Sequence, residues 1–430
     1  MKSSREPASS LQVGPLFLDT QAREVRRGGL VATLTGTQFD VLLQIAMRKG
    51  GLVLYREFRP WNREWQTAEH HPVADVVVVL RKRFRGQIGI VTEPGRGYRL
   101  AADIPVTEVA GPSVRRADRL RAIALDRMNI FTRESLLASI ATYEEVLRHG
   151  PDADAYVNLA MNYINKGHVG FSLDRPQRTI PKARGILEEA LQRFPKFSSA
   201  YALRALTRLI YDFDWKGAEN DLQHAFDLNS DDSYAHIIAA HREVARGSFD
   251  TGLAHARRSA ELDWRSPMSV FTFPWLLTYA GQANQAKEEC ECALVDFDPF
   301  AVGHIICGYA YEALGMTNNA IDQYKASLEI AQFPDAYACL GHAYGIKGDQ
   351  HSAEHYLRRL GEMKDLAFNS GYFEALVYVA IGNRKGAVRA LWRALDEKCD
   401  WLIYLNVEHR WDPLRNLGSF RDLVKRVGLL

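Results

Sequence analysis

The sequence predicts a mainly α protein: a small N-terminal α+β unit followed by an all-α superhelical repeat array. Three observations lead there. Beyond residue 120, helical segments carry small residues in a recurring register. Before it, strand-like and helical patterns alternate and close on a hairpin. The charge is also divided: residues 1–104 hold 16 Lys and Arg against 10 Asp and Glu, and the remainder holds 38 against 42. A basic small unit on an acidic large one points to an anionic partner for the first.

A chain of 430 residues is too long for one ordinary domain. The expected division is 11–102 for the first domain, 103–119 for an exposed linker with Pro, Gly and Ser, and 120–430 for the repeats. No run approaches the roughly 18 apolar residues a membrane helix needs. The start, MKSSREPASS, has no apolar stretch after its charges and does not read as a signal peptide. The expected location is the cytoplasm, with no membrane partner.

In the first domain, LQVGPLFLD and AREVRRGGLVATL alternate as strands around a GG turn. Thr35 with Gln38 has capping-box spacing, and Phe39, Leu42, Leu43 and Ala46 follow at helical intervals. Gly50-Gly51 ends that helix. A short second helix must start at, end before or kink at Pro60, with Trp61 and Trp65 packing beneath. Pro72 opens a third helix in which Val73, Val77, Leu80 and Phe84 form one buried stripe. Its other face carries His71, Asp75, Val76, Val79, Lys82 and Arg83. IGIVTE and GYRL then pair through Pro94-Gly95-Arg96-Gly97, with Arg96 at the tip.

This order, with GPLFLD, REVRRGG, LTGTQFDVLL, GGLVLYRE, LRKRF and the ending TEPGRGYRL, resembles the OmpR/PhoB-type winged-helix DNA-binding domain over about ninety residues. The resemblance implies a third helix in the major groove of double-stranded DNA and a hairpin wing in the adjoining minor groove. It puts His71, Val76, Val79, Arg81, Lys82, Arg83 and Arg85 on or beside the recognition surface, and Thr92, Arg96 and Tyr98 on the wing. Positions 76 and 79, commonly polar or basic in that family, are both Val here. Valine can touch a thymine methyl, can form a protein-contact surface, or can mark a domain that has kept its fold and lost DNA. The arginines and Lys82 still offer phosphate contacts.

Seven pairs of small or apolar residues lie seven apart: Ala183/Ala190, Ala218/Ala225, Leu253/Ala260, Ala286/Ala293, Ala320/Ser327, Ala353/Leu360 and Ala387/Ala394. Their first members are spaced 35, 35, 33, 34, 33 and 34 residues apart. A period of about 34 is the tetratricopeptide signature, and small residues let paired helices approach closely. A weaker unit is expected to begin with 155–167, followed by a projecting insertion at 168–181 and, far downstream, a terminal cap from DWLIYLNVEHRW onward. DWKGAENDLQHAFDLNSDDSYAHIIAA, GSFDTGLAHARRSAELDWRSP and that ending resemble the repeat region of CadC/HilA-like transcriptional regulators over roughly residues 130–430.

Such an array presents a concave groove suited to a protein or peptide partner, an effector or a second copy of the chain. Tyr201, Arg204, Arg208, His236, His241, Tyr309 and His342 lie on first helices and are the candidate contacts, against the plainer reading that such side chains pack between helices. No nucleophile elbow, phosphate-binding glycine loop or H-E-x-x-H spacing occurs, so no enzyme activity and no cofactor are expected. Cys290-x-Cys292 lacks a second ligand couplet, and on a helix its members point apart, so the five cysteines read as reduced thiols rather than a metal site. The expected function is a promoter-binding transcriptional regulator; the alternative is an interaction scaffold whose winged helix no longer reads DNA.

Overall fold

A computed structural model describes residues 10–19, 24–27, 30–32, 34, 36–54, 58, 73–84, 88–108, 116–168, 170–363 and 370–430. The chain divides into two units, 1–122 and 123–430. The expected cap Thr35, the segment around Pro60, Trp61 and Trp65, and the site residues His71 and Arg85 lie outside the described residues.

The first unit opens with an antiparallel sheet: β1 (Ser10–Val13), β2 (Leu16–Asp19), β3 (Glu24–Arg27) and β4 (Leu30–Ala32). Its fifth strand, β8 (Val106–Glu108), returns to pair with β1, giving the order β4-β3-β2-β1-β8. Thus the stretch expected as a free tether supplies an edge strand. Helix α1 (Gly36–Met47) buries Phe39, Leu42, Ile45 and Ala46. Helix α2 (Val73–Arg83) buries Val73, Val77 and Leu80, and Phe84 just beyond it completes the expected stripe.

A second sheet, in the order β5-β7-β6, joins β5 (Val53–Leu54) to the hairpin of β6 (Ile90–Glu93) and β7 (Gly97–Leu100). Gly97 must be glycine: its φ is +157°, and a Cβ there would lie 1.9 Å from the Val53 carbonyl oxygen.

Helix α3 (Arg116–Ile130) covers the rest of the expected linker's end and leads into the repeats. After α4 (Arg133–Arg148) come seven helix pairs. They are α5 (Ala153–Gly167) with α6 (Pro176–Arg193), α7 (Ser198–Thr207) with α8 (Trp215–Leu228), and α9 (Ser233–Ala245) with α10 (Phe249–Leu262). Next are α11 (Pro267–Tyr279) with α12 (Ala283–Phe297), α13 (Ala301–Ala313) with α14 (Thr317–Ile330), α15 (Pro334–Ile346) with α16 (Gln350–Glu362), and α17 (Gly371–Ala380) with α18 (Arg384–Asp396). Each small-residue pair falls on a second helix. Nearly all of those side chains are fully buried.

Five inter-helix turns reuse one geometry. Gly247, Gly281, Gly315, Gly348 and Gly382 all have φ between +71° and +84°, where a side chain would be strained. At the first of these, the Ser248 amide donates to the Glu243 carbonyl at 2.8 Å, satisfying an orphan helix-end acceptor.

Two expectations change. Segment 155–167 is the first helix of the Ala183/Ala190 unit, not of an extra one, and residues 176–181 belong to α6. The loop between them does not project: Phe171 is buried against Phe333, with ring centroids 5.4 Å apart.

Candidate interaction surfaces

Two surfaces matter, one in each unit. In the second, the first helices form the inner layer of the array, the face expected to be open. It is filled by the chain's own C-terminal segment. Two 3₁₀ turns, Asp400–Tyr404 and His409–Leu414, precede α19 (Gly418–Arg426). Trp401 stands among Trp275 of α11, Tyr309 of α13, and Tyr372 and Phe373 of α17, with ring centroids 5.6–6.4 Å away. Its indole N–H donates to His168 Nε2 at 3.2 Å. Tyr404 packs on Tyr279 at 4.9 Å, and its hydroxyl lies 2.6 Å from His241 Nδ1. Trp215 Nε1 on α8 donates to the Val427 carbonyl at 2.7 Å, so the segment reaches back across most of the array. The terminal cap is therefore an inner plug: it buries aromatic rings against successive first helices instead of covering the last pair alone.

The plug carries charge inward and pairs it. Arg410 and Glu408 are buried together in an ion pair, Tyr372 donates its hydroxyl to Glu408, and Arg410 lies 4.7 Å over the Tyr309 ring. Tyr309 also donates to both Asp335 oxygens, at 3.0 and 2.9 Å. Burial pushes Asp335 up to about 6, against the opposing pull of Arg410 and the Tyr309 hydroxyl. Glu312 sits 3.0 Å from His342 Nδ1. Burial would raise its pKa, yet His342 and Arg410 outweigh that and hold it at about 2. Burial, reinforced by His168, lowers His241 to about 4, so it is neutral against Tyr404. A buried charge or polar group is tolerated only when paired in this way.

The structure places each of the expected partner residues. His241 and Tyr309 face the plug, and His342 faces Glu312. His236 shares a hydrogen-bonded contact of 2.8 Å with His255. Arg204 and Arg208 both bind Asp221 of the same repeat, at 2.6 and 3.2 Å. Tyr201 donates to the Pro195 carbonyl and packs on His224. Of the seven, His236, His241, Tyr309 and His342 are buried inside the array, whereas Tyr201, Arg204 and Arg208 are half-buried and bonded to neighbouring residues. Sequence patterning could place them on first helices but gave no signal for their partners, which lie up to 163 positions away in the His241–Tyr404 case.

In the first unit, α2 and the β6–β7 hairpin form the second surface. Arg81 joins them: its Nε and Nη2 donate to the Ile90 carbonyl at 3.0 and 2.8 Å, and Nη2 also donates to Thr92 Oγ1 at 2.7 Å. Arg81 and Thr92, expected to meet DNA, thus brace one element against the other. Tyr98 is buried, with its ring against Phe58, because its strand side faces the core. Val76 is half-buried on that core.

Outward stand Val78, Val79, Lys82, Arg83, Thr92 and, at the hairpin turn, Arg96. Val78 is 59% exposed and Val79 40%. Among the described residues, neither Lys82, Arg83 nor Arg96 forms an ion pair. Val78 was missed by the sequence reading, although the stripe Val73–Val77–Leu80 at 3.6 residues per turn already directs position 78 outward and 76 to the flank.

No protein-family model and no curated protein matches the chain. Solved structures do. The APC/C hetero-tetramer Cut9–Hcn1 is similar at 17% identity and TM-score 0.51, covering 74% of this chain; this chain spans only 57% of that one. A Rap protein complexed with Competence and Sporulation Factor is similar at 13% identity and TM-score 0.46, over 73% of this chain and 97% of that one. A tetratricopeptide repeat protein from Parabacteroides merdae is similar at 11% identity and TM-score 0.41, over 62% and 98%. At such identities the likeness speaks to fold. The Cut9–Hcn1 likeness, at TM-score 0.51, agrees with the seven helix pairs among the described residues on the fold: a tetratricopeptide-like helical repeat array preceded by a small α+β unit. No helix among the described residues is long and apolar enough to cross a membrane.

Proposed function

We propose that the chain is a DNA-binding regulator, with the winged-helix-like first unit gripping duplex DNA and the repeat unit serving as a protein-interaction scaffold. One observation carries the first half: the cations Lys82, Arg83 and Arg96 point outward from a helix and a hairpin that Arg81 locks together. A rigid helix beside a basic hairpin can enter a groove and touch phosphates on either side of it. The reading places the chain in the cytoplasm and assigns it no catalytic step. Because the plug fills the inner layer, the scaffold role falls to the outer helices and the edges of the array, where a partner or a second copy would dock.

The test is a gel-shift series with the intact protein over a range of salt. Affinity falls with a log–log slope of about −0.9 per phosphate neutralised. Arg83→Ala and Arg96→Ala each weaken binding and make the slope shallower by roughly one phosphate. Absence of binding at the lowest salt overturns the reading.

A second reading has its own observation. Val78 and Val79 stand exposed where a base-reading helix would carry hydrogen-bond donors, and an interaction scaffold could use that apolar step to hold a protein.

A further inference from the structure

The outward face of α2 is unusual in what it can say to DNA. Its middle is Val78 and Val79, and neither offers a donor or an acceptor. Successive helical residues diverge by about 100°, which sets the two valines on either side of Lys82. The inner stripe of Val73, Val77 and Leu80 is fully buried, and Arg81 fixes the helix to the hairpin, so the pair is held on a rigid frame. Flanking cations Arg83 and Arg96 match the phosphates that border a groove.

Within the major groove, the group that an aliphatic side chain can recognise is the C5 methyl of thymine. We propose that Val78 and Val79 read thymine methyl groups, making this unit selective for methyl-bearing pyrimidines at the centre of its site, with Lys82 as the donor between them. This rests on the DNA-binding reading above. Chemically, the selectivity differs from a hydrogen-bond readout: it is lost when the methyl is removed, even though every Watson–Crick and groove hydrogen-bonding group of the base remains.

The probe is a duplex selected by the intact protein from a random pool, then remade with deoxyuridine for thymidine. Loss of each contacted methyl weakens binding by about fourfold, the effect of exposing one methylene-sized group, so two give roughly tenfold or more. The Val78→Ser/Val79→Ser variant binds thymidine and deoxyuridine duplexes alike, while its salt slope stays that of the wild type. Both side chains are exposed, so this variant keeps its fold. Equal wild-type affinity for the two duplexes overturns the methyl readout and leaves DNA binding standing. Discrimination that survives in the double variant also overturns it. No binding to any duplex overturns the DNA-binding reading and the methyl readout with it.

Discussion

The inner layer of the repeats and the outer face of α2 both present apolar side chains where a partner was expected, and they end differently. On the repeats, rings from α11, α13 and α17 are covered by Trp401 and Tyr404 from the same chain. On α2, nothing in the described chain covers Val78 and Val79. The first surface has been satisfied internally and contributes to stability. The second contributes little to stability and stands exposed. The contrast teaches that a groove inferred from repeat architecture need not be a vacant one, and that apolar exposure gains meaning beside unpaired cations.

The comparison can be broken by substitution. Trp401→Ala empties a well-packed site and should cost about 3–5 kcal/mol in chemical denaturation, whereas Val79→Ala should stay within about 0.5 kcal/mol. Equal small effects would mean that the plug is only loosely seated.

A smaller effect sharpens the same point through pH. His241 is held at about 4 in the folded chain, below its ordinary value. The unfolded chain therefore binds the extra proton between roughly pH 6.5 and 4, and stability is lost as pH falls through that window, by up to about 3 kcal/mol. His241→Asn should flatten this loss. Asp335, pushed up to about 6, acts with the opposite sign: its contribution is lost as pH rises through that value. It is present in both proteins, so the difference between their stability profiles isolates His241. Parallel profiles would show that the imidazole is not sealed against Tyr404.

Much of the fold was legible in residue spacing. The stripe Val73, Val77, Leu80 and Phe84 is buried, as is every member of the seven small-residue pairs except the half-buried Ala260, because helical periodicity is a local consequence of 3.6 residues per turn. What was not legible is long-range. Arg81 looks like any other cation in LRKRF until Ile90 and Thr92 are brought beside it. Trp401, Tyr404 and Trp411 mark an apolar segment, yet nothing local states whether it caps the last helix pair or enters the array. Of the candidates expected to face DNA, Val79, Lys82, Arg83, Thr92 and Arg96 are outward, while Tyr98 is turned in by strand alternation.

The central claim is that residues 399–417 are an integral part of the inner layer. Hydrogen exchange of the intact protein tests it directly, since the Glu408 and Trp411 amides are bonded to the Tyr404 and Glu408 carbonyls beneath buried rings. The account predicts that these amides exchange as slowly as those of α13 and α15, opening only when the array unfolds. Exchange at the rate of an exposed peptide, with α13 and α15 still protected, would contradict it.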